Sequence, residues 1–260
     1  QRMVREQALP AVIANPSTWV LPSTADAMLL EIKRTAQAYR EATDYAGELY
    51  VRLQITRGGG PIGLDVALAD RADFVLLVQP NKGLPPEKLA KGYSLSLETT
   101  LRRNAANTLN PAWKTGNYLN NILCLREARV RGADDVLMVN LAGEVTEAST
   151  ANIGFVRRGR IITPPLGAGI LGGITRDLVV RRIAADADLT IEERTVTPME
   201  LSEMSECFIM STTRDISPVG SIDARVFPVK SDGATLRLKQ AFARYVNDYV
   251  DRHPEQRLAY

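Results

Sequence analysis

Histidine, cysteine and long apolar runs are all scarce in this chain. The single histidine among 260 residues, His253, stands beside Pro254 near the carboxyl end. This argues against histidine-centred triads and histidine-rich metal sites, so no metal is expected and a catalytic base has to come from Lys, Asp, Glu, Tyr or Cys. Two cysteines, Cys124 and Cys207, are too few for a disulfide framework, and both lie in apolar surroundings that suit buried thiols. No apolar run reaches the ~20 residues of a membrane helix, and Gln1-Arg2-Met3-Val4-Arg5-Glu6 lacks the basic-then-apolar layout of a signal peptide. A soluble, cytoplasmic chain with no membrane partner is expected. Charge of one sign is lacking too: 32 Lys plus Arg face 30 Asp plus Glu, a balance of +2, which disfavours a nucleic-acid partner.

What the sequence does contain is a mixture of helices and strands in irregular order. Helical patterns are expected from about Arg2 to Ala14 and from about Ala25 to Thr43, the second with Leu29, Ile32, Ala36 and Tyr39 on one face. Leu49 to Thr56 alternates apolar and polar residues, as a strand with one face on a core does, so Arg52 shares a face with Tyr50, Gln54 and Thr56. With Phe74–Val78 and Tyr93–Leu97 it is expected to form a first sheet over about 49 to 98. Periodicity fails between Arg102 and Trp113, where Asn104, Asn107, Asn110 and Pro111 crowd together. This places an interdomain linker at 107–113, between a small domain over 1–106 and a large one over 114–260.

In the second part a helix from about Asn117 to Arg131 is followed by strands at Val136–Val139 and Asn152–Val156, with Arg158-Gly159 as a hairpin tip before Ile161-Ile162. Thr175 to Ala185 reads as a helix, Thr190 to Val196 as a strand, and Thr197-x-x-Glu200 as a capping box. Cys207–Met210 reads as a buried strand and Thr235 to Tyr249 as a last amphipathic helix. Strands outnumber helices without alternating with them, which predicts an α+β chain.

Four segments can carry chemistry. Lys114 precedes a helix and is flanked by Trp113, Gly116 and Tyr118; desolvated, such a lysine acts as nucleophile or proton shuttle, and otherwise it is a surface lysine. Glu147 lies in Gly143–Asn152 between two apolar strands, either as a functional carboxylate or as a solvated turn residue. Gly167–Arg176 is glycine-rich and runs into a helix, where free amides can cradle a phosphate, although such turns also occur without ligands. Finally, Met210–Val219 sets hydroxyls and Arg214 directly after a buried strand; the arginine suits a carboxylate, or pairs with Asp215.

Taken in order, these pieces resemble the class IV aminotransferases, the fold-type IV pyridoxal-phosphate enzymes that include branched-chain and D-amino-acid aminotransferases and aminodeoxychorismate lyase. The likeness covers about 47 to 230 and is carried by Lys114-Thr115-Gly116-Asn117-Tyr118, Glu147-Ala148-Ser149-Thr150-Ala151-Asn152-Ile153 and Gly169-Ile170-Leu171-Gly172-Gly173-Ile174-Thr175-Arg176. It implies a two-domain fold, a small α/β domain with a larger β-rich one, and a homodimer. It also implies that Lys114 forms the Schiff base with pyridoxal phosphate and shuttles the substrate proton, and that Glu147 faces the pyridine nitrogen. By the same resemblance Arg52, the amides of Ile174 and Thr175, and Thr212 hold the phosphate, Tyr118 lies near the ring hydroxyl, and Thr150 packs near the ring.

The implied reaction is transamination of an α-amino acid with a 2-oxo acid, branched-chain-like, by a ping-pong route. Thr213 and Arg214 are assigned to the substrate, Arg214 to its carboxylate. D-amino-acid transamination, aminodeoxychorismate lyase activity and an impaired cofactor-binding homologue are the alternatives. Two departures bear on them: the Lys114-to-Tyr118 spacing is one residue shorter than the usual branched-chain pattern, and Gln1-Arg2-Met3 resembles the middle of the family's first helix, so that a preceding segment is expected to be missing.

Overall fold

The computed structural model describes residues 24–69 and 71–256. The helix expected over Arg2 to Ala14 lies outside the described residues. The chain divides into two compact units, one built from the chain up to Lys82 together with the part from Val250 onward, the other being Gly83–Tyr249.

In the first unit, helix α1 (Ala25–Thr43) opens on Thr24, whose hydroxyl accepts the Ala27 amide at 3.2 Å, and closes on Asp44 in the left-handed conformation. Met28 and Ala36 are buried along one side of it. Strands β1 (Leu49–Thr56) and β2 (Asp73–Pro80) pair antiparallel with Arg52 opposite Leu77, and α1 packs on them. A two-stranded sheet is marginal by itself, so that packing completes the unit.

The expected first sheet needs correction at its third member. Strand β3 (Tyr93–Glu98), which follows the short helix α2 (Pro86–Lys91), does not join β1 and β2. It lies in the sheet of the second unit, parallel to both β4 (Asp135–Val139) and β10 (Asp215–Ile222). The division between the units accordingly falls at Lys82/Gly83 and not at the 107–113 segment.

Helix α3 (Leu119–Val130) precedes β4, and β5 (Val145–Ala148), β6 (Asn152–Arg157), β7 (Arg160–Thr163), β8 (Ile191–Glu193) and β9 (Glu206–Ser211) complete the main path of the sheet, in the order β5-β4-β3-β10-β9-β6-β7-β8. A two-residue strand, β11 (Arg225–Val226), pairs with β10. The hairpin tip is as expected, with Arg158 and Gly159 both at positive φ between β6 and β7, the geometry of a two-residue turn matched to strand twist. The 190–196 strand shortens to Ile191–Glu193, whereas the capping box of Thr197 and Glu200 forms as read.

The central strands are buried on both faces, and for this reason β4, β6 and β9 read as unbroken apolar runs without alternation. On one side Leu137, Val139, Ile153, Phe155, Cys207 and Ile209 share a core. On the other, Phe208 and Met210 pack with helix α4 (Ile174–Leu178, continued through a π-helical turn at Val179–Ile183 to Asp186) and with α5 (Ala234–Arg252). Val136 and Met138 meet Cys124 and Ala128 of α3. Both cysteines are buried and free, and burial pushes both thiols up, as inert core sulfhydryls require.

Gly154 stands opposite Phe208, and a Cβ there would lie 2.4 Å from the ring. Gly154→Ala is expected to lower stability by about 1–3 kcal/mol through overpacking, seen as a lower urea midpoint at unchanged slope.

Candidate functional site

Glu147 lies on β5 beside the tight turn into β6, and only 5% of it is exposed. The sheet buries the side chain, and three donors converge on it. Arg103 Nη2 donates to Oε1 at 2.8 Å, while Asn152 Nδ2 and the Leu171 amide each donate to Oε2 at 3.1 Å. A carboxylate accepts about four hydrogen bonds, so room is left for one further donor.

Burial pushes the Glu147 carboxyl up to about 7, against the opposing pull of Arg103, the Leu171 amide and the nearby Lys114 charge. The solvated-turn reading of Glu147 is thereby overturned.

The donors are themselves held. Asn152 also donates to Leu171 O at 2.8 Å, and a Cβ on Gly173 would fall 2.2 Å from Asn152 Oδ1, so the glycine-rich segment can approach the strand only as glycine. Arg103 Nη1 reaches Asn121 Oδ1 at 3.1 Å, and Asn121 Nδ2 reaches Ser149 O at 2.7 Å. Neither Arg103 nor Asn121 was singled out from the sequence. Arg103 stands in the aperiodic asparagine-rich stretch and carries no local signal that its partner lies 44 residues onward.

Lys114 lies in the loop before α3, and Tyr118 is the N-cap residue of that helix. The lysine is exposed rather than desolvated, forms no hydrogen bond or ion pair among the described residues, and is close enough for its charge to act on Glu147. Tyr118 is half-buried and Thr150, at the tip of the β5–β6 turn, is exposed.

At the start of α4, Gly173 is an extended N-cap without a side-chain cap. The Ile174 and Thr175 amides therefore have no intrahelical acceptor and are available to an anion.

The β9–β10 turn differs from expectation at its arginine. Arg214 donates to Asp135 Oδ2 at 2.7 Å and lies over the Tyr93 ring at 5.3 Å from its centroid; it does not pair with Asp215, which lies 4.0 Å from Lys239. Asp135 is 1% exposed, and its other oxygen accepts the Ser149 amide at 3.2 Å. A buried carboxylate needs such a partner, and Arg214 supplies it through Nη1. Thr212 and Thr213 are exposed on the same turn. Arg52 belongs to the other unit, exposed on β1, without a side-chain hydrogen bond or ion pair among the described residues.

Known proteins share this arrangement of sequence and fold. Residues 17–222 match the family model described as amino-transferase class IV. The branched-chain-amino-acid aminotransferase of Escherichia coli K12 is 29% identical over 196 residues, 74% of this chain and 63% of its own length. The branched-chain aminotransferase of Thermoproteus uzoniensis, solved with norvaline, superposes with a TM-score of 0.77 at 31% identity, covering 88% of this chain and 75% of that one. An aminotransferase from Brucella abortus, solved bound to the co-factor PLP, gives 0.69 at 25% identity, covering 82% and 74%. The matched stretch spans two thirds or less of the length of the curated relatives. With most of its length matching the family model and its fold shared with these solved structures, the chain belongs to the class IV aminotransferases.

Proposed function

We propose that the protein is a pyridoxal-phosphate-dependent aminotransferase that passes an amino group from a branched-chain-like α-amino acid to a 2-oxo acid. The observation that carries this reading is the buried Glu147 carboxylate, with three donors fixed on it and room for a fourth, close to the charge of Lys114. Such a carboxylate suits the protonated nitrogen of a pyridine ring, and the unpaired amides at Ile174 and Thr175 suit its phosphate. When bound, the cofactor supplies an electron sink for the carbanion left at the amino acid's Cα.

This chain's own residues do the remaining work. Glu147 would hold a proton at the ring nitrogen, and Lys114 would supply the amine for the cofactor and move the Cα proton. Thr212 and the Ile174 and Thr175 amides would anchor the phosphate. Tyr118 would lie by the ring hydroxyl, and Thr150 would pack against the ring. Thr213 remains a substrate-side position. The working form is proposed to be a cytoplasmic isologous homodimer; among the described residues no helix is long and apolar enough to cross a membrane.

The test is the visible absorbance of the purified chain after incubation with pyridoxal phosphate, followed by single L- and D-amino acids. A yellow protein whose colour is discharged by L-leucine, L-isoleucine or L-valine, with release of the matching 2-oxo acid, is expected. Discharge by D-amino acids alone, release of pyruvate from aminodeoxychorismate, or a colour that no amino acid discharges would overturn the branched-chain reading in favour of the D-specific enzyme, the lyase or an impaired homologue respectively.

A further inference from the structure

Arg103 is 7% exposed, its Nε has no hydrogen-bond partner, and it meets Glu147 where both side chains are more than nine-tenths buried. Desolvating two charges costs several kcal/mol per ion, so a buried pair of this kind is not explained by stability alone. Its geometry is specific. One guanidinium nitrogen faces Glu147, a second faces Asn121 on α3, and the Arg103 amide donates to Val139 O at 2.8 Å, fixing the backbone against β4. Asn121 in turn reaches Ser149 O, closing a ring of contacts around the β5–β6 turn.

We propose that Arg103 is a positioning residue of this site: it keeps Glu147 an oriented carboxylate inside the core, and through Asn121 it ties that charge to the helix following Lys114. The proposal rests on the reading of Glu147 as the partner of the pyridine nitrogen. A proton shared between a carboxylate and a ring nitrogen resides on the more basic of the two. Arg103 makes Glu147 a weaker base than burial alone would leave it, which favours the proton on the ring. No atom of Arg103 has to touch substrate or cofactor for this.

The charged groups acting on Glu147 are Arg103 from the segment after β3 and Lys114 from the loop before α3. Asp135 on β4 is neutralised by Arg214. The donors from β6 and from the glycine-rich segment, Asn152 and the Leu171 amide, are uncharged. Arg103 is thus the one cation in hydrogen-bond contact with this carboxylate among the described residues.

The experiment is an infrared titration of the full chain, with and without pyridoxal phosphate, the Glu147 band being assigned by subtracting a Glu147→Gln variant. Arg103→Lys and Arg103→Gln both keep an N–H to offer to Glu147, and only the first keeps the charge. Without cofactor, the wild-type midpoint is expected at about 7. The lysine variant should stay within about one pH unit of it and the glutamine variant should lie at least about one unit above the lysine variant, a tenfold loss of carboxylate near neutrality. A glutamine variant that titrates like wild type would falsify the proposal.

Should Arg103→Gln fail to fold, adding Glu147→Gln is expected to restore the fold by removing the stranded charge, and failure to restore it also overturns the proposal. The readout without cofactor separates this inference from the functional one. If the midpoints move as expected in a protein that never transaminates, the enzyme reading fails and the electrostatic role of Arg103 stands. If the wild type transaminates and the midpoints do not move, the reverse holds.

Discussion

Lys114→Ala is expected to lower the amino-acid half-reaction by at least about 10²–10⁴-fold, the range lost with a positioned general acid–base group, while leaving the fold almost untouched. Both halves of this expectation come from where the residue sits. Lys114 is exposed and makes no hydrogen bond or ion pair among the described residues, so its truncation leaves no cavity and no orphaned partner. Surface substitutions of that kind change stability by about 0.5 kcal/mol or less. Its ammonium nevertheless acts on Glu147, which places it beside the one strongly buried carboxylate of the proposed site. Single-turnover absorbance with L-leucine measures the rate, and thermal unfolding measures the fold. A variant with wild-type melting and a rate within tenfold of wild type would remove Lys114 from the chemistry.

The pH dependence of stability carries the second large effect, and its sign is the reverse of the usual carboxylate. Burial raises Glu147 from the ordinary 4.5 to about 7 in the folded chain. Between those two values the folded state binds more protons than the unfolded one, so stability falls as pH rises. The contribution is fully present below about pH 4.5 and is lost by about pH 7. A shift of that size corresponds to on the order of 3 kcal/mol.

Cofactor-free wild type should therefore lose stability across this window relative to Glu147→Gln, which has nothing to titrate at that position. Denaturant melts of both proteins at closely spaced pH values check it, and parallel curves would mean that Glu147 is already ionised throughout. Because the lost contribution reflects the desolvation of a charge that Arg103 only partly offsets, a cationic ring bound at Glu147 should flatten the wild-type curve.

Much of the local architecture could be read from residues near one another in sequence. The α1 span of Ala25–Thr43 and the β1 span of Leu49–Thr56 agree with their expected bounds, because a Thr24 cap, a helical apolar spacing and a clean period of two act within a few residues. The Arg158-Gly159 tip and the Thr197–Glu200 box are equally local. The β3 strand was recognised as a strand and placed in the wrong sheet. Its pairing with β4 and β10 depends on residues about 40 and 125 positions onward, and no pattern within Tyr93–Glu98 specifies a partner.

The same distinction divides the site. The order of Lys114, Glu147 and Ile174-Thr175 along the chain was enough to indicate the family, and the glycine-rich run before Ile174 indicated a helix start whose amides can take an anion. The sequence did not tell that Glu147 would be buried against Arg103, or that Arg214 would turn to Asp135, 79 residues away, in place of its neighbour Asp215. Spacing, caps and turns are determined by steric rules and periodicities within a few residues, and the sequence by itself determines them. The partner of a buried charge is decided only when the sheet closes over it, because desolvation then makes each ionised group depend on whichever opposite charge the fold brings within reach.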